Sequence, residues 1–338
     1  MHGPRIRRPA VLVGVGLVLA LGACQQIQYV SDEGDDEWMP PNDPWWETEG
    51  DPTTTTTTST TTGNDPSTSS SSGPDKLDLP DPDAPVVPCS TVDLLFVIDN
   101  SNSMLAEQAN LIASFDSFIA GIQDNLDEAN DYHIGIVTTD AYALNDPECS
   151  ELGGLVTQSA AGVCGPFAEG RYISLADDLE SAFTCAATIG GDGNTDEQQI
   201  EAALRATRPE LNQPEACNEG FIRNDALLVI VLITDEEDGK QANEGSPGEP
   251  HTWFAELAER KGVESNVVVL ALAGVPPPNA CTNSEPFEGA QLGWRIADFV
   301  ERFTYGQMGD VCADDYGPFF DASLAVIADA CTNFTPEG

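Results

Sequence analysis

The chain has 338 residues, enough for one large or two small domains with a real core. Its 57 acids against 13 bases give a formal net charge of −44 at pH 7. That charge argues against nucleic acid or an anionic membrane surface as a direct partner and is compatible with cation binding and solubility outside the cell.

The first residues read as an export leader. Arg5, Arg7 and Arg8 form a basic region, and residues 10–21 form an apolar stretch too short to span a bilayer comfortably. The run ends in Leu21-Gly22-Ala23-Cys24, which resembles the lipobox of bacterial lipoproteins. That resemblance implies cleavage after residue 23, lipid on Cys24 and a cell-envelope address. Gln25 and Gln26, where an inner-membrane retention signal would carry aspartate, favour the outer membrane or cell surface. Residues 24–88 then contain an acid run at 32–37, a threonine tract at 53–62, a serine tract at 67–72 and scattered prolines. Such a segment has too little apolar surface to offset the entropy of ordering it, so it is expected to be a disordered acidic tether. Trp38, Trp45 and Trp46 are the oddity in this acidic tract.

A folded domain is expected over 89–338. Residues 92–98 are almost continuously apolar, as in a strand buried on both faces, and are followed by Asp99, Asn100, Ser101, Asn102 and Ser103. Residues 106–126 carry Leu111, Ile112, Phe115, Phe118, Ile119 and Ile122 at helical spacing. A second strand at 133–138 leads to Thr139 and Asp140, and an irregular glycine-rich section runs from 141 to about 170. Helices are expected at 176–187 and 196–207, the latter capped by Asn194 or Thr195. The run 226–233 is a second fully buried strand and also ends in acids, Thr234-Asp235-Glu236-Glu237-Asp238. A helix at 251–261, a buried strand at 267–273 and closing helices at 294–303 and 318–330 complete the alternation. Strands alternating with helices define a doubly wound, mostly parallel α/β sheet flanked by helices.

There are 9 cysteines. With Cys24 assigned to lipid, an even number remains in an exported chain, which favours disulfides. Spacing does not choose among the pairings; the expected set is Cys89–Cys331, Cys149–Cys164, Cys185–Cys217 and Cys281–Cys312.

Asp99, Ser101 and Ser103 offer a carboxylate and two hydroxyls from one turn, hard oxygen donors suited to Mg2+, Mn2+ or Ca2+. Open α/β sheets bind ligands at the carboxyl ends of their strands, which is where both acidic clusters fall. The Asp-x-Ser-x-Ser motif after one buried strand and the Thr-Asp pair after another resemble the von Willebrand factor A (vWA) domain with its metal-ion-dependent adhesion site. The resemblance covers roughly 91–331. It implies that Asp99, Ser101, Ser103 and Asp235 hold a divalent cation, Mg2+ first, and that a threonine from a later loop completes the site. Thr195 is the leading choice for that threonine, with Thr188 second. Asp192 is an alternative ligand, because Gly190-Gly191-Asp192 stands where the family has glycines and threonine. It further implies recognition of a protein or glycan ligand that offers a carboxylate.

Three functions compete. The first is a surface lipoprotein that recognises a partner through its cation. The second is an envelope-complex scaffold in which the metal is structural only. The third, a secreted hydrolase, finds no support: there is no HExxH, GxSxG or Cys–His signature, and Asp192–Asp196 fails as an EF-hand because Glu197 and Ala203 stand where glycine and glutamate belong. The chain is therefore expected not to be an enzyme.

Overall fold

The computed structural model describes residues 89–125, 131–194, 197–239, 245–281 and 289–336. The expected leader, Cys24, the tether and Thr195 lie outside the described residues.

Five parallel strands form one sheet: β1 (Thr91–Ile98), β2 (Asp131–Thr138), β5 (Leu227–Ile233), β6 (Val267–Ala273) and β7 (Tyr305–Asp310), in the order β2-β1-β5-β6-β7. A two-stranded antiparallel hairpin, β3 (Gln158–Ser159) with β4 (Gly162–Val163), sits in the irregular section. The helices are α1 (Leu105–Asn125), α2 (Leu179–Ala187), α3 (Gln199–Thr207), the short α4 (Pro209–Asn212), α5 (Pro250–Arg260), α6 (Trp294–Val300) and α7 (Gly317–Thr332). This is the doubly wound parallel α/β sheet expected from the sequence, vWA-like or Rossmann-like in its layering.

Every residue of β5 and β6 is buried, which explains their uninterrupted Val, Leu, Ile and Ala composition. Alternate residues divide between two cores. Leu94, Phe96 and Ile98 join Phe115, Phe118, Phe183 and Phe320 on the face covered by α1, α2 and α7. Leu95 and Val97 join Ala203, Leu204, Trp253, Leu257 and Phe299 under α3, α5 and α6. Phe96 makes edge contacts with Phe115, Phe118 and Phe183, and Phe115 stacks on Phe183 at 3.5 Å. The apolar run also contains Asp93, buried near the amino end of β1, where the Arg223 backbone N–H and guanidinium donate to its two oxygens at 2.7 and 2.8 Å. His133 belongs to the same end of the sheet, with Nδ1 2.9 Å from the Phe221 carbonyl and its ring stacked on Tyr172, which makes it structural.

β7 adds a strand where the sequence suggests only a helix at 294–303 and no element between it and the last helix. Its sequence Tyr-Gly-Gln-Met-Gly-Asp lacks apolar alternation because it is a half-exposed edge strand. Its glycines admit close neighbours: a Cβ on Gly306 would collide with the Val300 carbonyl, and one on Gly309 with the Phe319 ring.

Among the described residues, four disulfides form: Cys89–Cys331, Cys149–Cys217, Cys164–Cys185 and Cys281–Cys312. The first and last were expected; Cys149–Cys164 and Cys185–Cys217 are corrected. The β3–β4 hairpin packs on α2, with Ser159 donating to the Cys185 carbonyl, so Cys164 meets Cys185. Cys149 lies instead against the turn after α4, where Asn218 bonds to Leu155 and Gly153. Among the described residues no helix is long and apolar enough to cross a membrane.

Candidate metal centre

Strand order changes direction at β1: the chain passes to β2 on one side and later to β5 on the other. The carboxyl ends of β1 and β5 therefore meet at the switch point, where doubly wound sheets leave a crevice. The register pairs Ile98 with Ile233, and the Asp99 N–H donates to the Ile233 carbonyl at 3.0 Å. Asp99 and the Thr234-Asp235 pair are thus side by side although 135 residues separate Asp99 from Thr234.

Asp99 is wholly buried. Its Oδ1 accepts the Ser101 N–H at 2.7 Å and its Oδ2 accepts the Thr234 hydroxyl at 2.6 Å. Burial raises its pKa, hydrogen bonds from Thr234 and Ser101 oppose that, and the charge of Asp140 adds to it. Ser101 begins the helical turn that leads into α1 but makes no side-chain cap there, so a capping role does not explain its hydroxyl. Its Oγ lies 3.0 Å from Ser103 Oγ, and Ser103 in turn bonds Asp235. The four residues Asp99, Ser101, Ser103 and Asp235 come together as the motif implied.

The fifth position differs. Thr195 lies outside the described residues. Thr188 caps the end of α2 and donates its hydroxyl to the Thr184 carbonyl at 2.6 Å, which commits it to the helix. Asp192 is exposed, and its charge acts on Tyr142 rather than appearing among the leading influences on Asp99 or Asp235. Glu197, just beyond Thr195, is instead drawn inward against the end of β2 and feels the charge of Asp99. It is 3% exposed, and its Oε2 accepts the Thr139 hydroxyl. Burial first, and the charges of Asp99, Asp140 and Glu236 after it, push its pKa to about 9. A carboxylate two residues before a helix, with no cation at helical spacing, was the available signal.

The acids after Asp235 divide by role. Glu236 belongs to the cluster: burial, Asp99 and Asp235 raise its pKa to about 7. Glu237 accepts the Arg295 and Asp238 backbone N–H groups. Buried Asp238 accepts the Ile200 N–H at 3.0 Å and the Ser246 hydroxyl at 2.6 Å, while Ser246 Oγ accepts the Glu201 N–H. The first turn of α3 is therefore satisfied across the fold, and its own N-cap residue Gln198 makes no side-chain cap. The loop before α3 approaches closely because position 193 is glycine: Gly193 N–H donates to the Asn100 carbonyl at 2.9 Å, and a Cβ there would lie 2.6 Å from that oxygen. Asn100 Nδ2 also donates to Asp140 at 3.0 Å, tying β2's end to β1's.

The cluster has the donor set of a hard-cation site. Burial and the charges of Asp99 and Glu107 raise the Asp235 pKa to about 6, even though a Ser103 hydrogen bond opposes the rise. Among the described residues, the leading influences on Asp99, Glu197, Asp235 and Glu236 are burial, hydrogen bonds and other carboxylates, with no Lys, Arg or His. Asp235 Oδ1, Glu197 Oε1 and Glu107 Oε2 are buried without a hydrogen-bond partner. Buried carboxylates so arranged call for a counter-ion, and these residues fit a divalent metal. A second grouping, Cys281, Asp310 and Cys312, does not: its two sulfurs form a disulfide and have no thiolate to offer.

No family model matches the sequence, and no curated protein matches it. Solved structures of proximal thread matrix protein 1 from the mussel byssus do. One is 18% identical with a TM-score of 0.37, covering 73% of this chain and 48% of that one. A second crystal form is 12% identical with a TM-score of 0.38, covering 72% and 48%. A third, described as having a zinc-occupied MIDAS motif, is 13% identical with a TM-score of 0.38, covering 71% and 48%. The chain spans about half the length of these structures, and at such scores the likeness carries no weight for the site.

Proposed function

We propose that this chain is a recognition domain that holds a divalent cation at the β1/β5 switch point and offers it to an oxygen donor on a protein or glycan partner. Asp99, Ser101, Ser103 and Asp235 would hold the ion, with Thr195 as the threonine expected from the vWA resemblance. The ion would supply a Lewis-acidic point of attachment; the chain's own residues fix its position and exclude water from beneath it. The observation that supports this reading is Asp235 Oδ1, a buried and unpartnered carboxylate oxygen beside the hydroxyl-bearing turn of Asp99. Catalysis forms no part of the reading: His133, structural in its contacts, sits at the other end of the sheet. Mg2+ is the expected ion, with Mn2+ and Ca2+ as alternatives. A lipid on Cys24, the tether over 24–88 and display at the outer membrane or cell surface complete the proposal.

The test measures binding of the purified chain to a glycan array and to solubilised envelope proteins, in Mg2+ plus Ca2+ or in chelator. Binders lost both in chelator and in Asp99→Ala support recognition. The scaffold reading is favoured by the cation's neutralising effect on buried carboxylates. It predicts that chelator lowers Tm while every binder is retained.

A further inference from the structure

Helix α6 turns one side to the core and the other to a cleft. Ile296, Phe299 and Val300 are buried, while Trp294, Ala297, Asp298 and Glu301 recur at helical spacing on the opposite side. Those four residues line a cleft of about 350 Å3, within the range of roughly 300–1,000 Å3 usual for small-ligand sites. Pro276, from the loop after β6, and Met308, from β7, add apolar surface to the lining. The segment before α6 is pinned to the end of β6. Gly293 N–H donates to the Gly274 carbonyl at 3.0 Å, and a Cβ on Gly274 would collide with the Gln291 carbonyl. Gln291 N–H donates in turn to the Asp235 carbonyl at 2.7 Å. The cleft therefore lies at the carboxyl end of β6, on the same end of the sheet as the metal centre, and shares no lining residue with it.

Two of its residues do nothing for the fold. Trp294 is 62% exposed, and among the described residues nothing stacks on its ring, so most of what burying an indole could contribute is forgone. Glu301 is exposed at the C-cap of α6, where the helix dipole disfavours an acid, and among the described residues no cation pairs with it. Asp298 pairs with Arg302 at 2.9 Å, an exposed pair of the kind that contributes little and exchanges readily.

We propose that this cleft binds a lysine side chain of a protein partner, with the ammonium against the Trp294 ring and the Glu301 carboxylate and the methylenes along Pro276 and Met308. An open indole face and an unpaired carboxylate attract the same ligand, a cation. Lysine also carries an apolar stem, which suits the remaining lining. The net charge of −44 draws cationic segments toward the chain at long range. A sugar could stack on Trp294 as well, but Pro276 and Met308 would leave its hydroxyls without partners. The site stands apart from the metal centre, and neither reading needs the other.

The experiment is an NMR titration of the full chain in chelator and about 150 mM salt, following the Met308 methyl signal, assigned by its loss in Met308→Leu. The probes are acetyl-Leu-Lys-Leu-amide, the same peptide with norleucine in place of lysine, and chitotriose. The lysine peptide is expected to shift the signal saturably and to bind roughly threefold or more tighter than the norleucine peptide. Glu301→Gln should weaken it by roughly two- to fivefold and Trp294→Ala by roughly fivefold or more. Both positions are exposed, so Tm should stay level in each variant. Equal affinity for the two peptides, or a response to chitotriose alone, would overturn the lysine assignment. A lysine response that both variants leave unchanged would be general attraction to an acidic surface and would overturn the cleft, as would no response at all.

Discussion

Asp99 carries its carboxylate into a fully buried position, and its two oxygens are committed to Ser101 N–H and the Thr234 hydroxyl. Replacing it with alanine removes the anchor of the centre, so Asp99→Ala should abolish the rise in Tm on adding cation. In the unmodified chain an ion at about 100 times its Kd should add about 2.7 kcal/mol, readable by calorimetry. The neighbouring acids give a pH dependence whose sign is fixed. Asp235, Glu236 and Glu197 have pKa values raised to about 6, about 7 and about 9 in the folded chain. The folded state therefore binds protons more tightly than the unfolded one. In chelator, stability is full below roughly pH 4, where both states are protonated, and falls as pH rises through those folded values. Saturating cation should flatten that slope; a slope of opposite sign, measured by urea denaturation across pH, would contradict the burial of these groups. At this scale the sequence revealed Asp99, Ser101, Ser103 and Asp235 because two acid-terminated apolar runs are rare. It did not reveal Glu197 or Glu236, whose roles depend on which loop lies over which strand end.

Elements hold these residues through two kinds of packing. The aromatic cluster around Phe96 sets the height of β1 against α1 and α2, so Phe96→Ala should cost about 3–5 kcal/mol in equilibrium unfolding. The loop after β5 is held instead by Arg295 of α6, which donates to the Asp238 and Gly248 carbonyls at 2.8 and 2.7 Å and lies over the Trp253 ring. Arg295→Ala should weaken cation affinity without removing a ligand, measured against a Tm that falls only modestly. β1, β5 and β6 were legible because strands buried on both faces are written as apolar runs. β7 was not, because an edge strand with two glycines for close packing resembles a turn. The start of α3 was misread for a related reason: its free N–H groups are met by Asp238 and Ser246 from another loop, where no local cap could announce them.

Across the whole molecule, disulfides tie distant segments together, and Cys89–Cys331 joins residues 242 positions apart. A bridge over so long a loop restricts the unfolded chain strongly, so the Cys89→Ser, Cys331→Ser pair should lose about 2–5 kcal/mol, measured by denaturant melts of the two chains. The existence of bridges followed from an even number of cysteines in a chain expected to be exported. The two pairings within the irregular section depended on a hairpin folding against α2, which spacing does not encode. At the switch point several of the chain's acids lie buried close to one another, where a cation would relieve their mutual repulsion. The most direct test is calorimetric titration of the metal-free chain with Ca2+, Mn2+ and Mg2+, beside Asp99→Ala. Saturable binding of one ion per chain, lost in the variant, is the expected result. No binding, or binding that Asp99→Ala leaves unchanged, would contradict a metal centre at the ends of β1 and β5.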